Sequence, residues 1–186
     1  MNRTAWEEAS VRLLDDVYAF AATGPRAHSD WRDDVLAVMN HEVDDPRGWN
    51  VLDWETDKEE RATAGPSFPF RPPSREHLEE RLFPVTPATA ERLLVTMTYD
   101  WGPVPQDEDE DEDAAADAYA DARTLLSRYG EQISCYSNIT RARATPSPDL
   151  TGGVDGWLSL TQYDGDFGFV VVSPEEVGVF WSFNPI

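Results

Sequence analysis

The spacing of hydrophobic residues changes near residue 130, and this change limits the folds that the chain can adopt. Before it, in the stretches 6–21 and 31–39, apolar residues recur every three or four positions, which predicts amphipathic helices. After it, short apolar runs alternate with turn-forming residues, which predicts strands. These runs cover 133–139, 156–163, 167–172 and 178–183. The sequence therefore predicts the α+β class, with N-terminal helices packed on one face of a mostly antiparallel sheet and a C-terminal three-stranded meander.

Cap signals place further helices between these regions. Ser74 precedes a short helix, and Thr86 precedes a second one, which we expect to change into a strand near Leu94. The stretch 114–129 predicts a third helix, which Gly130 would close as a C-terminal cap. Most of the helical residues are therefore expected to precede the sheet.

The length of the chain and one acidic run define its predicted organisation. At 186 residues it is long enough for one domain of ordinary size, so we expect 1–186 to form a single globular domain. Seven successive acidic residues occupy 107–113. Because like charges at this density repel one another and stay solvated, the sequence predicts a flexible acidic loop at 106–113.

The net charge excludes several classes of partner. With 36 Asp and Glu against 15 Lys and Arg, the chain carries a formal charge of −21. A surface of this sign repels nucleic-acid phosphates and anionic membranes, so we expect neither as a partner. The first residues carry acids where a secretory signal would carry bases, no apolar run approaches a membrane span, and Cys135 is the single cysteine. These features predict a cytoplasmic protein.

No recognised catalytic or metal-binding motif is present in the sequence. The histidines His28, His41 and His77 do not have the spacing of a zinc site, and the Gly-x-Ser-x-Gly turn of serine hydrolases is absent. Cys135 lies in a strand pattern, where a thiol usually serves as a small apolar residue. We therefore expect no metal and no cofactor, and an enzyme is the less favoured hypothesis.

Carboxylates and tryptophans next to predicted loops form the candidate binding surface. Asp53, Glu55 and Asp57 alternate on either side of Trp54, so on a strand the three acids would share one face. Aromatic side chains surrounded by carboxylates suit the capture of a basic protein, because the charge speeds encounter and the rings supply desolvated contact area. The predicted partner-binding residues are Asp44, Asp45, Trp49, Asp53, Trp54, Glu55, Asp57 and Trp101.

These features favour an acidic single-domain binding protein that blocks a basic protein partner. In size and charge the chain is similar to bacterial immunity proteins that neutralise nuclease toxins, and this resemblance implies a toxin inhibitor with a nuclease-type partner. It rests on profile alone and transfers no residue roles. One alternative is an enzyme or small-molecule-binding protein with a pocket between the sheet and the proline-rich loop, lined by Phe68, Phe70, Trp101 and Tyr163. Another is an accessory subunit of a larger complex, with 177–183 as an uncovered edge strand.

Overall fold

A computed structural model describes residues 3–15, 17–44, 50–51, 65–105 and 112–184. Within these residues the chain forms five α-helices, one 3₁₀ helix and one sheet of six strands. The α-helices are α1 (Arg3–Leu14), α2 (Trp31–Met39), α3 (Arg75–Arg81), α4 (Pro87–Met97) and α5 (Glu112–Ser127), and the 3₁₀ helix is Thr140–Arg143. The strands are β1 (Ala19–Pro25), β2 (Asn50–Val51), β3 (Phe83–Val85), β4 (Ser134–Ser137), β5 (Gly165–Val172) and β6 (Glu176–Asn184).

The sheet has the order β2-β1-β6-β5-β4-β3, and every neighbouring pair is antiparallel. Its two longest strands, β5 and β6, lie at the centre and are buried along almost their whole length. They are joined by a tight turn in which the Ser173 N–H donates to the Glu176 carbonyl at 2.9 Å. The predicted α+β class is confirmed, with helices early in the chain and the longest strands at its end.

Helices cover both faces of this sheet, so the prediction that they cover one face is wrong. On one face α1, α4 and α5 pack against Phe167, Phe169 and Phe180. On the other face α2 and α3 pack against Val179 and Trp181. The central strands therefore bury side chains on both sides, which explains their nearly continuous apolar sequences.

The first predicted helix is too long, because the residues after Leu14 turn into the sheet. Residues 19–25 form β1, which lies between β2 and β6. In it Ala19 and Ala21 face the α1 side while Phe20 faces the α2 side. Alanine favours helices, but here the pairing with β6 and burial on both faces outweigh that preference. The helical spacing of Val17, Phe20 and Ala21 was therefore misleading.

Three other local predictions also differ from the structure. The predicted acidic loop does not reach residue 113, because Glu112 and Asp113 already belong to α5, and 106–111 lie outside the described residues. Helix α4 does not change into a strand near Leu94 but continues to Met97, with Leu93, Leu94 and Val95 all buried. The stretch 156–163 makes only the isolated bridges Ile139↔Trp157 and Phe70↔Thr161 instead of a strand. The meander of the structure is consequently β4-β5-β6.

The caps predicted at Ser74, Thr86 and Gly130 are confirmed. Asp30, Ser74 and Thr86 accept hydrogen bonds from backbone N–H groups in the first turns of α2, α3 and α4. Gly130 has a φ of +79°, the left-handed conformation expected of glycine after a helix. Short polar residues at these positions satisfy donors that a helix start leaves without partners.

Candidate functional site

The structure locates two of the eight predicted partner-binding residues. Asp45, Trp49, Asp53, Trp54, Glu55 and Asp57 lie outside the described residues. Asp44 is exposed and follows Val43, which packs on the α2 face of the sheet, whereas Trp101 packs on the α1 face. The structure therefore does not bring Asp44 and Trp101 together, and the assignment of the other six stays a prediction.

Trp101 has a strained backbone that surrounding contacts hold in place. Asp100 and Trp101 have φ values of +48° and +66°. Residues other than glycine rarely adopt such values, and bulky residues such as tryptophan adopt them least often. The Trp101 indole Nε1 donates to Ser182 Oγ at 2.8 Å, and the ring meets Trp157 and Phe167 edge to face. Such strain costs about 1–3 kcal/mol per residue and is common at binding sites.

The backbone beyond this turn is fitted closely to Trp101. The Trp101 carbonyl accepts the Val154 N–H at 2.8 Å. Gly153 has a φ of +82°, and a Cβ atom there would lie 2.2 Å from the Trp101 carbonyl oxygen. A larger residue at position 153 would therefore displace the strained turn. Gly153 thus supports the position of Trp101.

Two cavities that share Val17 and Thr98 lie beside this turn, and together we call them the Thr98 groove. The first has a volume of about 340 Å³ and is lined by Val17, Tyr18, Met97, Thr98, Asp100, Trp101, Ser182, Phe183 and Asn184. The second has a volume of about 550 Å³ and is lined by Arg12, Leu13, Val17, Thr98, Tyr99, Ala114, Asp117, Ala118 and Asp121. The groove therefore runs from the strained turn to the surface between α1 and α5.

Carboxylates give the α5 end of the groove its charge. Asp121 receives the Arg12 guanidinium in a two-point contact, from Nε to Oδ2 at 3.0 Å and from Nη2 to Oδ1 at 2.6 Å. The hydrogen bond to Asp121 raises the pKa of Arg12, and the nearby charges of Glu8 and Asp117 act in the same direction. Asp117 itself is exposed. This end of the groove thus already holds one guanidinium by charge and geometry.

No family model matches the chain, and no curated protein or solved structure matches it. Within the described residues, no group of three or more His, Cys, Asp or Glu side chains is placed to hold a metal ion. None of the helices in the same residues is long and apolar enough to cross a membrane.

The residues proposed for an alternative pocket lie on opposite faces of the sheet. Phe70 is buried on the α2 face, where Tyr163 stacks on Phe183 and Phe68 meets Tyr163 edge to face. Trp101 packs on the α1 face. These four aromatic residues therefore do not line a common pocket. Strand β6, expected as an uncovered edge under the accessory-subunit hypothesis, lies between β1 and β5.

Two buried carboxylates were not recognised in the sequence. Asp34, in the first turn of α2, is contacted by Arg26 Nε at 2.7 Å and by the Ala27 and His28 N–H groups at 2.9 Å each. Burial opposes its ionisation, but these hydrogen bonds outweigh burial and lower the pKa of Asp34. Asp166 on β5 is fully buried and accepts three hydrogen bonds. Asp34 and Asp166 each anchor a loop. The residues around them in the sequence do not distinguish them from the many exposed acids.

The cysteine and one histidine take structural positions. Cys135 is buried in β4, and this burial raises the pKa of its thiol to about 12, so the reactive thiolate is strongly disfavoured. Burial lowers the pKa of His41, whose ring stacks on Phe20 at 5.8 Å between centroids. His41 also has a φ of +56° at the end of α2.

Proposed function

We propose that this protein binds a basic protein partner and blocks its functional surface, in the manner of an immunity protein or toxin inhibitor. The observation that carries the proposal is the way charges are distributed in the described residues. Arginines are largely engaged within the fold, while many carboxylates face solvent. Such a surface attracts a positively charged protein over distances of about 8–10 Å at ordinary salt.

Within the described residues, seven arginines form ion pairs with carboxylates of the same chain. The pairs are Arg12–Asp121, Arg26–Asp34, Arg32–Asp30, Arg75–Asp33, Arg123–Glu91, Arg128–Glu176 and Arg141–Asp155. Other carboxylates are exposed: Glu8, Asp15, Glu42, Asp44, Glu76, Glu79, Glu80, Asp100, Asp113, Asp117, Glu131, Asp164 and Glu175. Each of these pairs uses one positive and one negative charge, so they leave the acidic excess of the described residues unchanged, and the exposed carboxylates carry most of it.

Inhibition would work by occlusion. Carboxylates that meet arginine or lysine side chains at a partner's active site form charge-assisted hydrogen bonds, and a few well-placed pairs contribute more than the total charge. Complementary charge would also raise the association rate, which matters for a protein that must capture its target before the target acts.

The proposal is tested by affinity capture and direct titration. The chain is immobilised, exposed to a lysate of its native host at low and high salt, and the retained protein is identified, purified and titrated. We expect a basic protein, bound in a fixed ratio, whose dissociation constant rises with salt. A partner without basic character, or binding that salt leaves unchanged, contradicts the proposal.

The predicted surface around Trp54 is tested separately. Neutralising Asp53, Glu55 and Asp57 together should weaken partner binding. The matched control neutralises Glu76, Glu79 and Glu80 on α3, which changes the net charge by the same amount. Equal effects of the two triple variants would show that only total charge matters and would remove Asp53, Glu55 and Asp57 from the site.

A further inference from the structure

We propose that the Thr98 groove is the docking site for an arginine-bearing segment of the partner, with one guanidinium on Asp117. This inference rests on the proposed function and specifies which surface acts and which side chain it selects. The occupant is a basic peptide segment of a protein, in which arginine is preferred to lysine.

Helix α5 carries a row of acids beside the groove. Asp113, Asp117 and Asp121 are four residues apart, so they lie along one face of the helix. Asp121 already holds the Arg12 guanidinium through two hydrogen bonds. Asp117, one turn earlier, is exposed and lines the same cavity. Asp117 therefore offers a carboxylate to a second arginine, as Asp121 does to Arg12.

An apolar lining lies next to that row. Leu13 and Val17 are buried but reach the cavity wall, and Tyr99 lies beside them. An arginine side chain can place its methylene stem on such a surface while its guanidinium reaches a carboxylate. The combination of apolar wall and acidic rim is complementary to arginine in shape as well as in charge.

The far end of the groove combines a carboxylate with an aromatic ring. There Asp100 is exposed beside the half-buried ring of Trp101, in the strained turn. A segment lying along the groove could pair a first basic residue with Asp117 and a second one with Asp100. Arginine suits both positions better than lysine, because its planar group bonds carboxylates at two points and stacks on aromatic rings.

The test uses a labelled oligo-arginine peptide and an oligo-lysine peptide of equal length, with binding measured by fluorescence anisotropy. The groove variant is Asp100→Asn/Asp117→Asn, in which asparagine tolerates the positive φ at position 100. The matched control is Glu79→Gln/Glu80→Gln on α3, which packs on the opposite face of the sheet. We expect the groove variant to weaken oligo-arginine binding roughly tenfold and the control to weaken it less than about twofold.

A second measurement uses the unaltered chain. In a proton–nitrogen NMR spectrum the Trp101 indole N–H, which bonds Ser182, gives one signal that Trp101→Phe identifies by its loss. Oligo-arginine should shift this signal in proportion to occupancy, and oligo-lysine should shift it less at the same concentration. An indole signal that stays unmoved while the peptide binds overturns the groove assignment.

The outcomes separate this inference from the proposed function. If both double variants weaken binding equally, the Thr98 groove is not the site, but an acidic surface that binds basic proteins remains. If oligo-lysine binds as tightly as oligo-arginine, selection of arginine is refuted. If neither peptide binds the unaltered chain at low salt while the captured basic partner does, the groove inference fails and the proposed function stands. If neither the peptides nor a basic partner bind, the groove inference and the proposed function both fail.

Discussion

Replacing Asp166 with alanine should destabilise this protein more than most single substitutions. Its Oδ2 atom accepts hydrogen bonds from the Leu160 N–H at 2.8 Å, the Thr161 N–H at 2.7 Å and the Trp181 indole N–H at 2.9 Å. The residue is fully buried on β5. One carboxylate oxygen thus fixes the loop at 158–161 against β6, in the stretch where a regular strand does not form.

The size of the effect follows from the three donors that alanine would leave without an acceptor. Each buried, unsatisfied donor costs about 1–3 kcal/mol, so three give roughly 3–9 kcal/mol. Part of this is offset, because Asp166 Oδ1 is also buried and has no hydrogen-bond partner among the described residues. We expect a net loss of about 3 kcal/mol in the free energy of unfolding, a large share of the ~5–15 kcal/mol typical of a domain.

Urea unfolding monitored by tryptophan fluorescence measures this loss. Asp166→Asn retains one oxygen that can accept the same three bonds, so it should lose less than half as much as Asp166→Ala. Asp164→Ala is the matched control: Asp164 is exposed, and its hydrogen bonds from Trp157 and Ser159 go to its backbone carbonyl. It should change stability by no more than about 0.5 kcal/mol. A loss below about 1 kcal/mol for Asp166→Ala, at an unchanged denaturant slope, would refute the reasoning.

Three further predictions concern other buried groups. The pKa of Asp34 is lowered in the folded state, so its contribution to the free energy of unfolding is present above its unfolded pKa and is lost as pH falls through the folded pKa. Asp34→Asn should therefore cost about 2 kcal/mol at neutral pH. In denaturant titrations the stability difference from the unaltered chain should shrink below about pH 4. The Cys135 thiol should react with a thiol reagent at mildly alkaline pH only after unfolding, and rapid reaction of the folded protein would contradict its burial. Gly178→Ala would place a Cβ atom 2.1 Å from the Tyr129 hydroxyl and should cost about 1–3 kcal/mol in thermal or urea unfolding, whereas Gly152→Ala, with open space around it, should be nearly neutral.

Local signals in the sequence predicted those elements whose ends are fixed by short-range chemistry. The caps Ser74 and Thr86 were recognised because their side chains accept hydrogen bonds from backbone N–H groups three residues away. Such interactions are determined within a few residues, so the local sequence contains the information needed.

Elements defined by distant partners were mispredicted. The residues 19–25 form a strand because β6, far along the chain, pairs with them, and no local pattern reports that pairing. The stretch 156–163 alternates as a strand would, but Asp166 and Asn138 take up its backbone groups through side-chain bonds. In both cases tertiary contacts decided the conformation against local preference.

The candidate site was even less accessible to sequence reasoning. Trp101 was singled out, but no local pattern indicates its positive φ or its hydrogen bond to Ser182. Asp113, Asp117 and Asp121 follow one another at four-residue spacing in the sequence. This spacing is hard to recognise because Asp113 also ends the acidic run 107–113. The spacing becomes a candidate binding feature only because α1 packs beside α5 and brings Arg12 to Asp121.

The acidity of this chain acts on its fold and on its proposed function in opposite directions. A net charge of −21 favours expansion through self-repulsion, which added salt weakens. Pairs such as Arg26 with Asp34 and Arg128 with Glu176 place positive charge where loops and helix ends meet the sheet. The exposed carboxylates without an arginine partner contribute little to the fold, and under the proposed function they attract the basic partner. Added salt should therefore raise the stability of the folded chain and lower its affinity for a basic partner. A purely structural role for the acids does not explain this combination.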